Sequence, residues 1–456
     1  MISFRRFVSL LAVTALILPT IALWQTASAQ QGQKISLIRD AEIENAIRAY
    51  AVPLFEAAGL DPSAVSVHIV NDSSLNAFVA GGQRLFLFTG LLMKAESAGQ
   101  VRGVIAHETG HIAGGHLART QEALENATIE NILEMLLTAA AIAGSAAGGA
   151  QSGSNRSGGP PIGIAQRSLF SYTRGQEQSA DQAAVTLLDR IGQSSRGLLE
   201  FTEYLLQQEL VAGLRPDPYL RTHPMTQERV SFMRRHVETS RFSDVPVPAS
   251  LEAMHARVVA KLYGFVDPAQ AFRKYPPSDN SVPGRYARAI ASYRSGNLPE
   301  AIGLIDGLIA GAPKDPYFHE LRGQMLFENH KVAEAIPSFE RAVALLPSSG
   351  LLKIVLTDAL LQNPTQAQLL RAEKLLESVE PKERNSGYWR QMATIYDRTG
   401  NFGMRSLALA ELAYARGDRV DAAHHAGAAE KALKFGTPAY QRAQDIKFLA
   451  ERPPRR

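Results

Sequence analysis

The apolar positions follow two different rhythms along the 456-residue chain. Early in the chain they alternate with polar positions, in Val65–Val70, Asn76–Val79 and Arg84–Thr89. A period of two predicts strands, so we expect a hairpin or a small antiparallel sheet here. The spacing then changes to that of a helix, which we expect to begin near Ala98 and to continue through His107.

From about residue 284 onward the pattern is helical, and it repeats. The apolar and proline positions Ala301, Ile305, Leu308 and Pro313 recur 34 residues later as Ala335, Phe339, Ala342 and Pro347. This period resembles the tetratricopeptide repeat, in which small residues let paired helices approach and proline stops the second helix. A generic helical tail is the alternative, but two units in register favour the repeat.

Together these patterns predict a mainly α protein with a small β-sheet, divided into two domains. The first covers residues 30–265 and the second, an α-solenoid of repeats, covers 280–450, with a Gly- and Pro-rich junction near 263–283. Within the first domain, residues 143–163 are dominated by Gly, Ser and Pro. Such a composition loses much chain entropy on ordering, which predicts a mobile loop.

The N-terminus has the layout of a secretory signal peptide, residues 1–29. Two arginines precede an apolar run, and the run ends in Ala27-Ser28-Ala29, small residues that suit cleavage after Ala29. The run is also nearly long enough to be an uncleaved membrane anchor, but Pro19 and the Ala-Ser-Ala ending favour cleavage. We therefore expect an exported protein, which in a bacterium would work in the periplasm.

Composition narrows the chemistry that remains. The chain has no cysteine, which excludes disulfides, thiolate metal sites and a cysteine nucleophile, so a metal site must use His, Asp and Glu. Cleavage after Ala29 removes two arginines and no acid, which lowers the net charge from +4 to +2. This weak charge, without a long basic run, gives no reason to expect a nucleic-acid partner.

The strongest chemical signal is the motif His107-Glu108-x-x-His111. On a helix, residues four apart share one face, so two imidazoles can bind one Zn²⁺ ion, one per chain. Glu108 lies beside them and can accept a proton from water that the metal activates. The apolar residues before the motif suit a buried helix. The spacing predicts a catalytic zinc site.

A third ligand must come from elsewhere in the chain. A metzincin would need histidine at position 117, which is Leu117, and His116 comes one residue too early. A second helix offers Glu177 and Asp181, four apart on one face. Glu177 can bind zinc while Asp181 hydrogen-bonds the outer nitrogen of a ligand histidine. From its position in the sequence alone, Glu177 could equally belong to a solvated helix face.

These motifs occur in a recognisable order. The His-Glu-x-x-His motif is followed by Gly-His-Leu-Ala-Arg (residues 115–119) and, some sixty residues later, by Glu-x-x-Ala-Asp (residues 177–181). This order resembles the gluzincin family of metallopeptidases that contains the CAAX prenyl proteases and the heat-shock membrane protease. The fold it implies is a gluzincin domain, here followed by tetratricopeptide repeats.

The resemblance implies roles for particular residues. It makes His107, His111 and Glu177 the zinc ligands and Glu108 the general base. It also implies that His223, in Thr222-His223-Pro224, lies close to the zinc and can occupy its open position, which would hold the enzyme latent. Taken alone, a histidine before proline is more often a structural residue of a loop.

The β segment provides a candidate substrate site. Extended substrates of such peptidases add to the edge of a small sheet beside the zinc helix. Asn76, Ala77 and Phe78 are the candidates for that edge, and a plain core strand is the alternative. His116 is expected to support the site rather than to react.

The resulting hypothesis is an exported zinc endopeptidase whose repeat domain binds proteins. The resemblance implies that its substrates are unfolded or misfolded proteins, such as stalled outer-membrane β-barrel clients, held in a chaperone-like way. It also implies the outer-membrane β-barrel assembly machinery as partner. A repeat scaffold or holdase with a structural or inactive zinc site is the alternative. Residues 129–147 leave peripheral membrane association open, whereas a membrane-embedded prenyl protease would need several long apolar spans.

Overall fold

The structure is a computed structural model, and it describes residues 36–81, 83–116, 132, 133, 135, 172–212, 219 and 222–452. The predicted signal peptide (1–29) and the predicted mobile loop (143–163) lie outside the described residues, as does most of 129–147. No helix within the described part of the chain has the length and apolar character needed to cross a membrane.

Four short strands form one mixed sheet, in the order β1-β2-β4-β3. Their bounds are β1 Ser36–Ile38, β2 Ser66–Asn71, β3 Ala77–Ala80 and β4 Arg84–Phe88. Strands β3 and β4 form the expected antiparallel hairpin. The expectation of a wholly antiparallel sheet is wrong, because β4 also pairs with β2 in parallel. The chain places β3 on the outside, so β4 returns beside β2 in the same direction.

The first half also contains seven of the described helices. Their bounds are α1 Ala41–Ala57, α2 Thr89–Lys94, α3 Ala98–Ala113, α4 Arg174–Arg190, α5 Arg196–Ala212, α6 Gln227–Thr239 and α7 Ala249–Val266. Helix α3 is the centre of this half, with Val101, Val104 and Ile105 buried in the core. It begins after Ser97, whose hydroxyl accepts a hydrogen bond from the Gln100 amide and so caps the helix.

The second half is built from paired helices, as the repeat pattern predicts. Their bounds are α8 Pro268–Lys274, α9 Val282–Arg294, α10 Leu298–Gly311, α11 Pro316–Glu328, α12 Val332–Leu345, α13 Gly350–Leu360, α14 Gln366–Glu377, α15 Ser386–Arg398, α16 Phe402–Ala415, α17 Arg419–Ala432 and α18 Pro438–Glu451. The repeated small and large apolar positions, Ala301, Ile305, Ala335 and Phe339, are all buried. The mainly α fold with a small sheet is confirmed.

Helix α7 joins the two halves, since it contacts α1 on one side and α9 on the other. Polar side chains reinforce this contact. The Tyr286 hydroxyl of α9 donates to Glu42 of α1 at 2.7 Å. Arg257 of α7 pairs with Glu42 at 2.6 Å and also with Asp315, the residue that caps α11. The repeats are therefore fixed to the first half by buried contacts close to the predicted junction.

Candidate metal centre

Helix α3 brings the histidine motif into the interior. His107, Glu108 and His111 are each no more than 1% exposed. The Nε2 atoms of the two histidines face each other at 3.1 Å, one helical turn apart. The other ring nitrogen of each histidine is turned outward, toward groups that hold the ring. The motif therefore presents two imidazole nitrogens to one point.

Helix α4 brings Glu177 to the same point. Its N-terminus is fixed by a capping box between Thr173 and Gln176. Gly110 lets the two helices touch, because a Cβ at this position would stand only 2.8 Å from the carbonyl oxygen of Ala180. Glu177 Oε1 consequently lies 3.3 Å from His111 Nε2.

His223 completes the group from a third segment. Its Nδ1 lies 3.0 Å from Glu177 Oε1 and 3.4 Å from His107 Nε2. Its Nε2 lies 3.4 Å from Glu108 Oε1. One ligand atom from each of His107, His111, Glu177 and His223 falls within 4.8 Å of the others, and all four residues are buried. This group could hold a metal ion.

The contacts behind the ligands fit the same interpretation. His107 Nδ1 lies 2.9 Å from Asp181 Oδ1, which selects the tautomer with a free Nε2. His111 Nδ1 lies 3.0 Å from His116 Nδ1. Both carboxylate oxygens of Glu108 are buried without a hydrogen-bond partner among the described residues, which is costly unless another group meets them. Imidazoles with one carboxylate suit a metal of the zinc type.

Burial and mutual attraction set the protonation of these groups. Burial alone would lower the pKa of His107, but the carboxylates of Asp181 and Glu177 raise it to about 10. Burial would likewise raise the pKa of Glu177, yet His223 and the hydrogen bonds from the three histidines lower it. For Glu108, burial dominates and raises the pKa, partly opposed by His223 and His107.

Comparison with known proteins agrees with this geometry. Residues 38–237 match Peptidase family M48, and residues 286–350 match the tetratricopeptide repeat. The match to family M48 covers the part of the chain that holds the candidate metal centre. It is 24% identical over 353 residues to the beta-barrel assembly-enhancing protease of Yersinia pestis, covering 75% of this chain and 69% of that protein.

Two further relatives match the chain over shorter stretches. The protein of that name from Escherichia coli K12 is 25% identical over 346 residues, covering 72% of this chain and 66% of the relative. A putative beta-barrel assembly-enhancing protease from Vibrio cholerae is 24% identical over 268 residues, covering 55% and 51%. The chain thus spans about two thirds of the length of the first two relatives it matches.

Two residues in the region that matches family M48 contact the candidate metal centre but were not predicted from the sequence. Tyr172 stacks on His111, with ring centroids 3.7 Å apart, and its hydroxyl donates to the carbonyl of Val79 at 3.4 Å. Arg229, near the start of α6, lies 2.6 Å from Glu177 Oε2. A sequence signal existed only for Arg229. It is a basic residue in the first turn of a helix, where the helix dipole disfavours a cation.

The predicted substrate edge lies at one border of the sheet. Strand β3 pairs only with β4 among the described residues, which leaves its other side as an edge. Asn76, just before β3, is fully buried, and neither polar atom of its side chain has a hydrogen-bond partner among the described residues. The side chains of Ala77 and Phe78 belong to different apolar clusters, because successive residues of a strand face opposite sides. The substrate role of all three residues stays a prediction.

Proposed function

We propose that the protein is a zinc-dependent endopeptidase of the bacterial envelope. The observation that carries the proposal is the convergence of His107, His111 and Glu177 in the interior, with the Glu108 carboxylate beside them. Zinc in this position supplies a Lewis acid that activates water and polarises a peptide carbonyl. Neither a structural metal site nor a repeat scaffold would require Glu108 at this place.

The side chains divide the work of peptide hydrolysis. Glu108 accepts the proton of the attacking water and delivers it to the amine that leaves. Burial raises the pKa of Glu108, which makes its carboxylate a stronger base. Asp181 holds the ring of His107, and the stacked ring of Tyr172 holds that of His111. Asn76 and the border of the sheet at β3 bind the extended backbone of the substrate.

The segment around His223 keeps the site closed until a substrate arrives. His223 lies within 3.4 Å of both Glu108 and His107, from where it would fill the fourth ligand position. The stacked ring of Tyr219 lies 4.4 Å from that of His223, and the Tyr172 amide donates to the Thr222 carbonyl. We propose that this arrangement is the latent form, and that the His223 segment moves away for catalysis.

The substrates we propose are unfolded or misfolded proteins of the envelope, including outer-membrane β-barrel proteins. Support comes from the role in β-barrel assembly for which the relatives are named and from a groove in the repeats. The groove has a volume of about 700 Å³, and its lining combines large side chains such as Trp389 and Tyr396 with charged ones such as Arg384 and Glu411. This lining suits extended segments that contain both apolar and charged residues, held in a chaperone-like manner, and the barrel assembly machinery is the proposed partner.

The proposed location is the periplasm, with peripheral membrane association left open. Support comes from the signal-like composition of residues 1–29 and from the absence of cysteine in the whole chain.

The test is cleavage of casein by the purified full chain. Glu108→Gln keeps the ligands and should lower the rate about 10²–10⁴-fold, because the general base is lost. Glu96→Gln, an exposed glutamate near the start of α3, is the matched control and should cleave as the wild type does. His223→Ala should cleave faster than the wild type.

The outcomes separate the peptidase from the scaffold. Unchanged cleavage in Glu108→Gln would reject the peptidase mechanism and favour the scaffold or holdase. Slower or equal cleavage in His223→Ala would reject the latch while leaving the peptidase in place.

A further inference from the structure

Arg229 lies where the separate parts of the candidate metal centre meet. Its side chain is 4% exposed, and an arginine buried to this extent needs partners for its charge. Its Nε and Nη2 donate to the two oxygens of Asp181 at 2.7 and 2.9 Å. Its Nη1 lies 2.6 Å from Glu177 Oε2 and donates to the carbonyl of Pro224 at 2.9 Å. One guanidinium therefore touches two acids of α4 and the residue after His223.

These contacts determine which ligand atoms face the centre. Arg229 contacts Oε2 of Glu177, which also lies 3.5 Å from His107 Nε2, while Oε1 is turned toward His111 and His223. It holds both oxygens of Asp181, and Oδ1 of that residue also lies 2.9 Å from His107 Nδ1. The orientation of a ligand carboxylate and that of a ligand imidazole thus depend on one side chain.

The location of Arg229 in its helix supports a specific role. It is the third residue of α6, and the Thr226 hydroxyl that caps the helix accepts from the Arg229 amide. A cation in a first turn opposes the helix dipole, and a buried cation loses hydration. Both costs are offset by the carboxylates of Asp181 and Glu177, which lie within 2.9 Å of the guanidinium.

We infer that Arg229 is the positioning residue of the metal centre. It fixes Glu177 and, through Asp181, His107 in the orientation that binds zinc, and through the Pro224 carbonyl it ties the His223 segment to the same point. Lysine cannot replace it, because a single ammonium lacks the planar fork that meets both oxygens of Asp181 and reaches Glu177 as well. The inference rests on the proposed zinc site.

The experiment measures the zinc dissociation constant of the metal-stripped full chain by competition with a chelator. Arg229→Lys should raise this constant about 10–100-fold, the range found when the supports of metal ligands are removed. The matched control is Arg234→Lys on the same helix, whose partner Glu203 lies at the surface. It should leave the constant within about two-fold, since exposed ion pairs contribute little.

Three further readouts distinguish positioning from a general effect on the fold. Cobalt substituted for zinc should show an altered visible spectrum in Arg229→Lys and an unaltered one in Arg234→Lys. Asp181→Asn should also weaken zinc binding. The double variant that combines Asp181→Asn with Arg229→Lys should raise the zinc dissociation constant by less than the product of the two single fold-changes. Both substitutions act through the same contact, so their effects should not be independent.

The inference is overturned if Arg229→Lys binds zinc as tightly as the wild type, or if it melts at a lower temperature with an unchanged zinc constant. If Arg229→Lys does not fold, Asp181→Asn decides, and an unchanged zinc constant there overturns the inference. If the wild type itself binds no zinc, the proposed function fails first and this inference fails with it.

Discussion

Two buried clusters of charged side chains can be compared within the described part of the chain, and the two differ in geometry. The first is the candidate metal centre between α3 and α4. The second lies where α1 and α7 meet the repeats, and its members are Asp40, Glu42, Arg257, Lys261, Asp315 and Glu320. The Lys261 side chain is 1% exposed, as buried as the metal-centre histidines.

The two clusters differ in what their polar atoms face. At the junction each cation meets carboxylates directly: Lys261 Nζ lies 2.6 Å from Asp40 and 3.3 Å from Glu42. At the metal centre the inner atoms of three histidines and Glu177 all face one another. Burial of charge alone therefore does not identify a candidate metal site. The distinguishing feature is that several electron-pair donors converge on one point.

The largest expected effect is at the junction. Lys261→Met removes the cation from Asp40 and Glu42, and an unpaired buried charge costs about 3–5 kcal/mol. We expect the free energy of unfolding, measured with urea, to fall by this amount. The zinc constant should stay the same because the cluster is structural. A weakened zinc constant in folded Lys261→Met would show that the two clusters are not independent.

Zinc bound at the candidate metal centre should stabilise the folded chain, and removal of the metal should abolish this gain. Zinc at about 100 times its dissociation constant should stabilise the wild type by about 2.7 kcal/mol, since it binds the folded chain. His111→Ala should gain almost none of this stabilisation. Thermal melting with zinc and with a chelator measures both, and an equal gain in His111→Ala would place the zinc elsewhere.

The junction should also respond to pH. Burial raises the pKa of Glu320 from 4.5 to about 7, with Lys261 opposing the shift and Asp40 and Glu42 adding to it. The folded chain then binds a proton that the unfolded chain has lost. Stability should therefore fall as the pH rises from 4.5 to 7, on the order of 3 kcal/mol.

Glu320→Gln should reduce this slope. Urea unfolding at several pH values measures it, with Glu334→Gln, an exposed glutamate of the next helix, as control. A slope identical to that of the wild type would contradict the raised pKa.

The smallest expected effect concerns the ring that supports His111. Tyr172→Ala removes a stacked contact of about 0.5–1.5 kcal/mol, which corresponds to a zinc constant about 2–10-fold weaker. Tyr172→Phe keeps the ring and loses only the hydroxyl contact with Val79, so it should bind zinc as the wild type does. Equal constants for all three proteins would show that the stack does not support the site.

Local patterns explain why much of the fold was predictable. The spacing of His107 and His111 and that of Glu177 and Asp181 each describe one helical face, and the 34-residue period describes a packing unit. The β3–β4 hairpin follows from two alternating runs close in sequence. In each case the residues that interact are near one another along the chain, so the pattern itself carries the information.

What was missed depends on distant contacts. An alternating pattern predicts a strand but not the direction in which it pairs, so the parallel pairing of β2 with β4 could not be predicted. Strand β1 has only three residues, too few to show a pattern. Arg229 meets Asp181 from 48 residues away. Lys261 meets Asp40 across the whole first half. Its position in an amphipathic helix looks like that of any charged residue until the fold brings the acids to it.

The most direct test of the account is an equilibrium titration of the metal-stripped full chain with zinc. The wild type and Lys261→Met should each bind one zinc per chain with the same dissociation constant. His107→Ala and Glu177→Gln should bind it more than about 100-fold more weakly, beyond the range for a supporting residue. Absence of binding in the wild type, or undiminished binding in His107→Ala, would contradict the assignment of this cluster as the metal centre.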